Sequence, residues 1–114
     1  MFARSDLCMF EHSGLSVDDL FSITEDTLDS LYVKSSETEQ FYPFFYLYNE
    51  YFILKKKNLP KETAYLCYLI SYYVFSVLTP PHSEEIALEF ASEAVSLNPC
   101  TKYIQWLDIV KLGN

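Results

Sequence analysis

The chain reads as an all-α domain of about five antiparallel helices, and three observations carry that prediction. Only two of its 114 residues are glycine, and no Asn-Gly or Asp-Gly pair is present to close a hairpin. Its many Tyr, Phe and Val residues never settle into alternation with polar ones; apolar positions recur at three- and four-residue spacing instead. Proline and Ser/Thr positions then divide the chain into segments of helical length. The connections between them, of about three to six residues, fold neighbouring helices antiparallel. Half of the residues are hydrophobic and 18% are aromatic, enough for one core, and at 13.3 kDa for only one. The expectation is a single helical domain over residues 1–114, with 1–15 a frayed N-terminus.

The first helix starts at Ser16, an N-cap with Asp18 and Asp19 in the first turn, where carboxylates meet the positive end of the helix dipole. It is expected to run unbroken to Val33. Val17, Leu20, Phe21, Thr24, Leu28, Leu31 and Tyr32 form one side, with Ile23 the exception. The other side carries Asp18, Asp19, Glu25, Asp26 and Asp29, a solvent-facing acidic stripe with no basic residue until Lys34.

The second helix spans roughly Thr38 to Lys57, or starts as late as Tyr42, because Pro43 suits a first turn. Phe41, Phe44, Phe45, Tyr48 and Phe52 make one face, while Tyr46, Leu47, Tyr51, Ile53 and Leu54 cover most of the rest. A helix this apolar is buried on several sides and leaves room for a homodimer if one face stays uncovered. Lys55-Lys56-Lys57-Asn58 ends it with cations at the negative dipole end and a residue able to take a left-handed cap.

Pro60 opens the third helix and Thr79-Pro80-Pro81 closes it. Its apolar part runs from Ala64 to Leu78 and holds Tyr65, Tyr68, Tyr72 and Tyr73. A bilayer core needs about 20 residues, more than this run provides, so this is a buried soluble helix and not a membrane span. Tyr65, Tyr68 and Tyr72 lie on one side of it, either lining the core or lining a peptide groove; Tyr42, Tyr46, Tyr51 and Tyr73 fall off the main stripes and are candidates for a partly exposed aromatic surface. Ser83 caps a fourth helix, Glu84 to Leu97, which Pro99 terminates, and a fifth runs from Thr101 to Leu112 with Gly113 as its C-cap residue.

In the fourth helix, IALEFASEAVSLNP, the residues Ala87, Ala94 and Pro99 are spaced like the small, small and proline positions of the second helix of a tetratricopeptide repeat. Phe90 supplies the aromatic between them. The segment 63–112 therefore resembles a tetratricopeptide helical hairpin followed by the first helix of a next repeat or a capping helix. It departs from the family in lacking the Leu-Gly pair of the preceding helix and in a longer connection, Leu78 to Ser83. The resemblance implies close packing of the two helices at the small residues, and a protein-binding role as a class.

The charge constrains the partner. The net charge is −8, with a pI near 4.5, and the N-terminal third, Met1 to Gln40, holds nine acids against two bases. That disfavours nucleic acid and anionic membrane and favours a basic protein. Met1 to Phe10 contain no continuous apolar run, and Cys8, Cys67 and Cys100 form no C-x-x-C pair, so reduced thiols in the cytoplasm are expected. Two histidines give chemistry little to work with. Cys8, Glu11 and His12 could share one helical turn around a metal, and Cys8 with His12 or Cys100 with His82 could form a nucleophile pair, but no local motif supports either. The expectation is a protein without metal, cofactor or catalytic residues. It would bind a basic protein partner through Asp18, Asp19, Glu25, Asp26 and Asp29 or through Tyr65, Tyr68 and Tyr72. An acidic inhibitor or immunity protein that masks a toxin or nuclease comes first. A chaperone or adaptor holding an extended peptide in an aromatic groove is the alternative, and a small Cys/His enzyme comes last.

Overall fold

The computed structural model describes residues 17–113. Among them the chain is helical throughout: α1 (Val17–Ser22), α2 (Glu25–Lys34), a 3-10 turn (Glu39–Phe41), α3 (Tyr42–Lys56), α4 (Pro60–Tyr72) continued by a π-helical turn (Tyr73–Leu78), α5 (Ser83–Leu97) and α6 (Thr101–Leu112).

The single first helix expected over 16–33 is in fact two, and Thr24 is the reason. Its backbone is extended, its hydroxyl accepts from the Thr27 N–H at 3.4 Å, and its own N–H donates to the Thr27 hydroxyl at 3.1 Å. This reciprocal cap offers the backbone an alternative to a continuous helix. The break also accounts for Ile23, which fits no continuous stripe yet is fully buried. Ser16, the expected N-cap, lies outside the described residues.

The other boundaries follow proline and cap chemistry. α3 takes the late start at Tyr42, with Pro43 in its first turn, and ends in Lys55 and Lys56 before Asn58 turns left-handed at φ 62°. Leu59 precedes α4, whose first residue is Pro60. In the π-helical turn the coil widens, and the Thr79 N–H reaches back to Val74 O at 3.1 Å. Thr79 and His82 are both left-handed, and His82 occupies the N-cap of α5 where Ser83 was expected. Ser83 instead begins the helix and donates its N–H to Pro80 O at 3.0 Å.

Side-chain contacts give the helix directions. Ser71 meets Ala87 and Cys67 meets Glu93, so α4 and α5 run antiparallel. Tyr48 meets Phe90 while Tyr51 and Lys55 meet Glu93, so α3 runs parallel to α5. Glu25 and Asp29 of α2 meet Tyr68 and Tyr72 of α4, which in turn meet Tyr103 and Trp106 of α6. Hence α2, α4 and α6 point one way and α3 and α5 the other, in a slab of 35 × 33 × 19 Å, about two helices thick. α4 is the central element, buried from Leu66 to Ser71. Ala87, Ala91 and Ala94 give α5 a smooth buried face that lets α4 come close. Cys67 is fully buried. No described helix is long and apolar enough to cross a membrane.

Candidate functional site

The two sets of residues singled out from the sequence meet each other. Tyr65, Tyr68 and Tyr72 recur at helical spacing along α4, and α2 runs parallel beside it. Their hydroxyls therefore fall in register with Ile23, Glu25 and Asp29. Tyr65 Oη donates to the Ile23 carbonyl at 2.5 Å, Tyr68 Oη to Glu25 Oε2 at 2.6 Å, and Tyr72 Oη to both Asp29 oxygens at 2.8 and 3.0 Å. From α6, Lys102 Nζ reaches Glu25 Oε2 at 3.1 Å and sits 4.8 Å over the Tyr68 ring. Tyr103 stacks on Tyr68, and Trp106 packs against Tyr68, Tyr72 and Phe75.

The acidic stripe, expected to face solvent as a whole, is thus divided. Asp26 is exposed, whereas Glu25 and Asp29 are half-buried acceptors in a seam between α2, α4 and α6. Asp18 and Asp19 belong to α1, and nothing is described of their side chains. Burial works against the Glu25 carboxylate, but the Tyr68 hydroxyl, its own backbone N–H and the Lys102 cation outweigh it and hold its pKa below the usual value. Burial first, and the Asp29 carboxylate second, push Tyr72 up to about 12; Tyr68 rises further for the same two reasons, with Glu25 as its partner. Tyrosines that hold their protons this firmly act as permanent donors.

Of the four tyrosines expected on a partly exposed aromatic surface, only Tyr42 is exposed. Tyr46, Tyr51 and Tyr73 are buried: the Tyr51 hydroxyl bonds Glu93 of α5, and the Tyr73 hydroxyl bonds the Gln40 carbonyl, fastening the 3-10 turn to the core. The exposed aromatic surface lies instead on the face of Phe41, Phe45, Tyr48 and Phe52, which are 41, 61, 39 and 46% exposed. At about 100° per residue these four share one side of α3 and the turn before it. Pro43, Leu47, Glu50 and Leu54 occupy the side turned to the core. At the N-terminal end of the aromatic face, Glu37, Thr38, Phe41, Tyr42 and Phe45 line an open groove of about 460 Å³.

One contributor was passed over in the sequence. Ser71 is fully buried, donates to the Ala87 carbonyl at 2.7 Å and accepts from Trp106 Nε1 at 2.8 Å, so a single hydroxyl ties α4, α5 and α6 together. Its signal in the sequence is its place, a small polar residue inside an uncharged apolar run.

As for the residues considered for metal or nucleophile chemistry, Cys8, Glu11 and His12 lie outside the described residues. Among the described residues no three His, Cys, Asp or Glu side chains are grouped as metal ligands would be. His82 and Cys100 stand at opposite ends of α5, about 22 Å of helix apart. Burial, with the Glu93 carboxylate beside it, raises the Cys67 thiol far above its ordinary value, and a thiol held in that state is inert packing. In comparisons with known proteins, no family model, curated protein or solved structure matches the chain.

Proposed function

We propose that this chain is a non-enzymatic protein-binding module that docks through the aromatic face of α3. The observation that carries the reading is the row Phe41, Phe45, Tyr48 and Phe52, four large rings aligned over three turns and left partly in water. Scattered exposed apolar residues are ordinary, but a contiguous aromatic row beside a groove is the composition of a docking surface. The competing tyrosine row does not offer the same: using Tyr65, Tyr68 and Tyr72 as a peptide groove would require α2 to be displaced. Close packing of α5 on α4 at Ala87 and Ala94 supports treating 63–112 as a tetratricopeptide-like hairpin, whose class role is the same. The test is a photo-crosslinking amino acid at position 45 in the native cell. A covalent protein adduct that disappears in the Phe41→Asp, Phe52→Asp background supports the reading, and the absence of any adduct overturns it.

A second reading keeps the acidic inhibitor or immunity protein that masks a basic toxin or nuclease in the cytoplasm. Its support is the net charge of −8 together with carboxylates that remain exposed, among them Asp26, Glu84, Glu85 and Glu89. Because Glu25 and Asp29 accept hydrogen bonds within the seam, the discriminating variant neutralises these four acids and leaves the seam intact. Unchanged binding of the natural partner at both low and high salt would remove this reading.

A further inference from the structure

The aromatic face of α3 is flanked by opposite charges at its two ends. Glu37 and Glu39 precede it, and Lys55, Lys56 and Lys57 follow it. Within the face, residues at equal distances from the midpoint between Tyr46 and Leu47 match one another. Phe41 mirrors Phe52, Phe45 mirrors Tyr48, and Glu37 mirrors Lys56, each pair being equidistant from that point along the chain. A surface with this internal mirror is complementary to a copy of itself rotated by a half-turn, which is what a two-fold dimer requires.

We infer that the occupant of the α3 face is a second copy of this chain, packed antiparallel so that Phe52 of each copy enters the groove of the other between Phe41, Tyr42 and Phe45. The inference rests on the docking face proposed above and names what docks there. In this register Phe45 of one copy meets Tyr48 of its partner near the two-fold axis. The pairing sets the basic end of each helix against the acidic end of the other, and opposes the two helix dipoles. The groove of about 460 Å³ has the room for a benzyl side chain.

The surface involved also indicates how tightly the copies hold. The exposed fractions of the face, Tyr42 included, amount to somewhat more than two whole aromatic side chains, or roughly 450 Å² per copy at about 200 Å² each. About 900 Å² for the pair lies below the size of stable complexes, so the dimer is reversible and concentration-dependent.

Sedimentation equilibrium of the full chain under reducing conditions, from low micromolar to millimolar concentration, tests it. The expected result is a mass rising from 13.3 kDa toward twice that value. Phe45→Asp should weaken association at least tenfold with the helical circular dichroism unchanged. Glu37→Lys and Lys56→Glu should each weaken it, and the two together should restore most of it, an outcome that only this register produces. A single-chain mass throughout, or a dimer indifferent to Phe45→Asp, overturns the inference. If the chain stays monomeric but the position-45 crosslinker still captures a different protein, the second copy is excluded and the docking face stands. If association is indifferent to Phe45→Asp and the crosslinker at position 45 captures no protein, both fall.

Discussion

Replacing Tyr68 by phenylalanine removes one oxygen and leaves the ring where it is, stacked on Tyr103 and edge-on to Trp106. What is lost is the 2.6 Å hydrogen bond to Glu25 Oε2. A hydrogen bond to a charged group contributes about 1.5–3 kcal/mol net. Glu25 keeps Lys102 at 3.1 Å, and its side chain is 29% exposed, so water and the ammonium recover part of the loss. The lower end, about 1.5 kcal/mol, is therefore expected, which for a domain of this size lowers the melting temperature by roughly 6 °C. Urea unfolding followed by circular dichroism measures it, alone and in a cycle with Glu25→Gln. The two substitutions share one interaction, so together they should destabilise by about 1 kcal/mol less than the sum of their separate effects. The sign with pH follows from the lowered Glu25 pKa: the seam's stabilisation is complete above the unfolded carboxyl value near 4.3 and fades as pH falls through the folded value. The Glu25→Gln penalty should shrink accordingly in acid. A Tyr68→Phe protein with the urea midpoint of wild type, or strict additivity in the cycle, would refute the assignment of the seam as a structural hydrogen-bond network.

Three further outcomes follow from the same contacts. Ser71→Ala leaves the half-buried Trp106 N–H without its acceptor and should destabilise by about 1–2 kcal/mol, with a shift in tryptophan emission that a surface Ser76→Ala control lacks. Ala91→Leu places three extra carbons where α5 meets its neighbours with no free surface, and should lower the urea midpoint by the equivalent of about 2–3 kcal/mol while helix content is kept. At high pH, Tyr72 and Tyr103 are both held near 12, chiefly by burial, whereas unfolded tyrosine ionises near 10. A raised phenol pKa stabilises the fold below pH 10 and that stability is lost as pH climbs toward 12, so ultraviolet titration should show tyrosine ionisation and loss of helix together.

Much of the helical order was legible because it is written in local chemistry. Pro43 and Pro60 mark first turns, Lys55 and Lys56 a last one, and Pro99 and Gly113 the ends of α5 and α6, since these residues act through their own backbone or the dipole beside them. The break in the first helix is hidden for a reason of the same kind. Thr24 fits the apolar side of a continuous helix and also makes a good N-cap, and periodicity alone ranks the first above the second. His82 takes the cap position in a left-handed conformation while the Ser83 N–H closes a turn onto Pro80 O, a geometry that residue preferences at caps do not anticipate.

Local chemistry along the chain specifies that it is all-α, where most helices begin and end, and which side chains are candidates for contact. Which face of each helix meets water depends on how the helices pack. An acidic stripe at helical spacing looks solvent-facing until a parallel helix offers it a row of tyrosine hydroxyls at matching intervals. An aromatic helix looks buried all round until its neighbours cover only one side. In both cases the physical reason is that burial belongs to pairs of surfaces. Spacing along one strip of chain states what a face is made of, and only the docking of α2 on α4, or of α4 on α3, states what that face is turned toward.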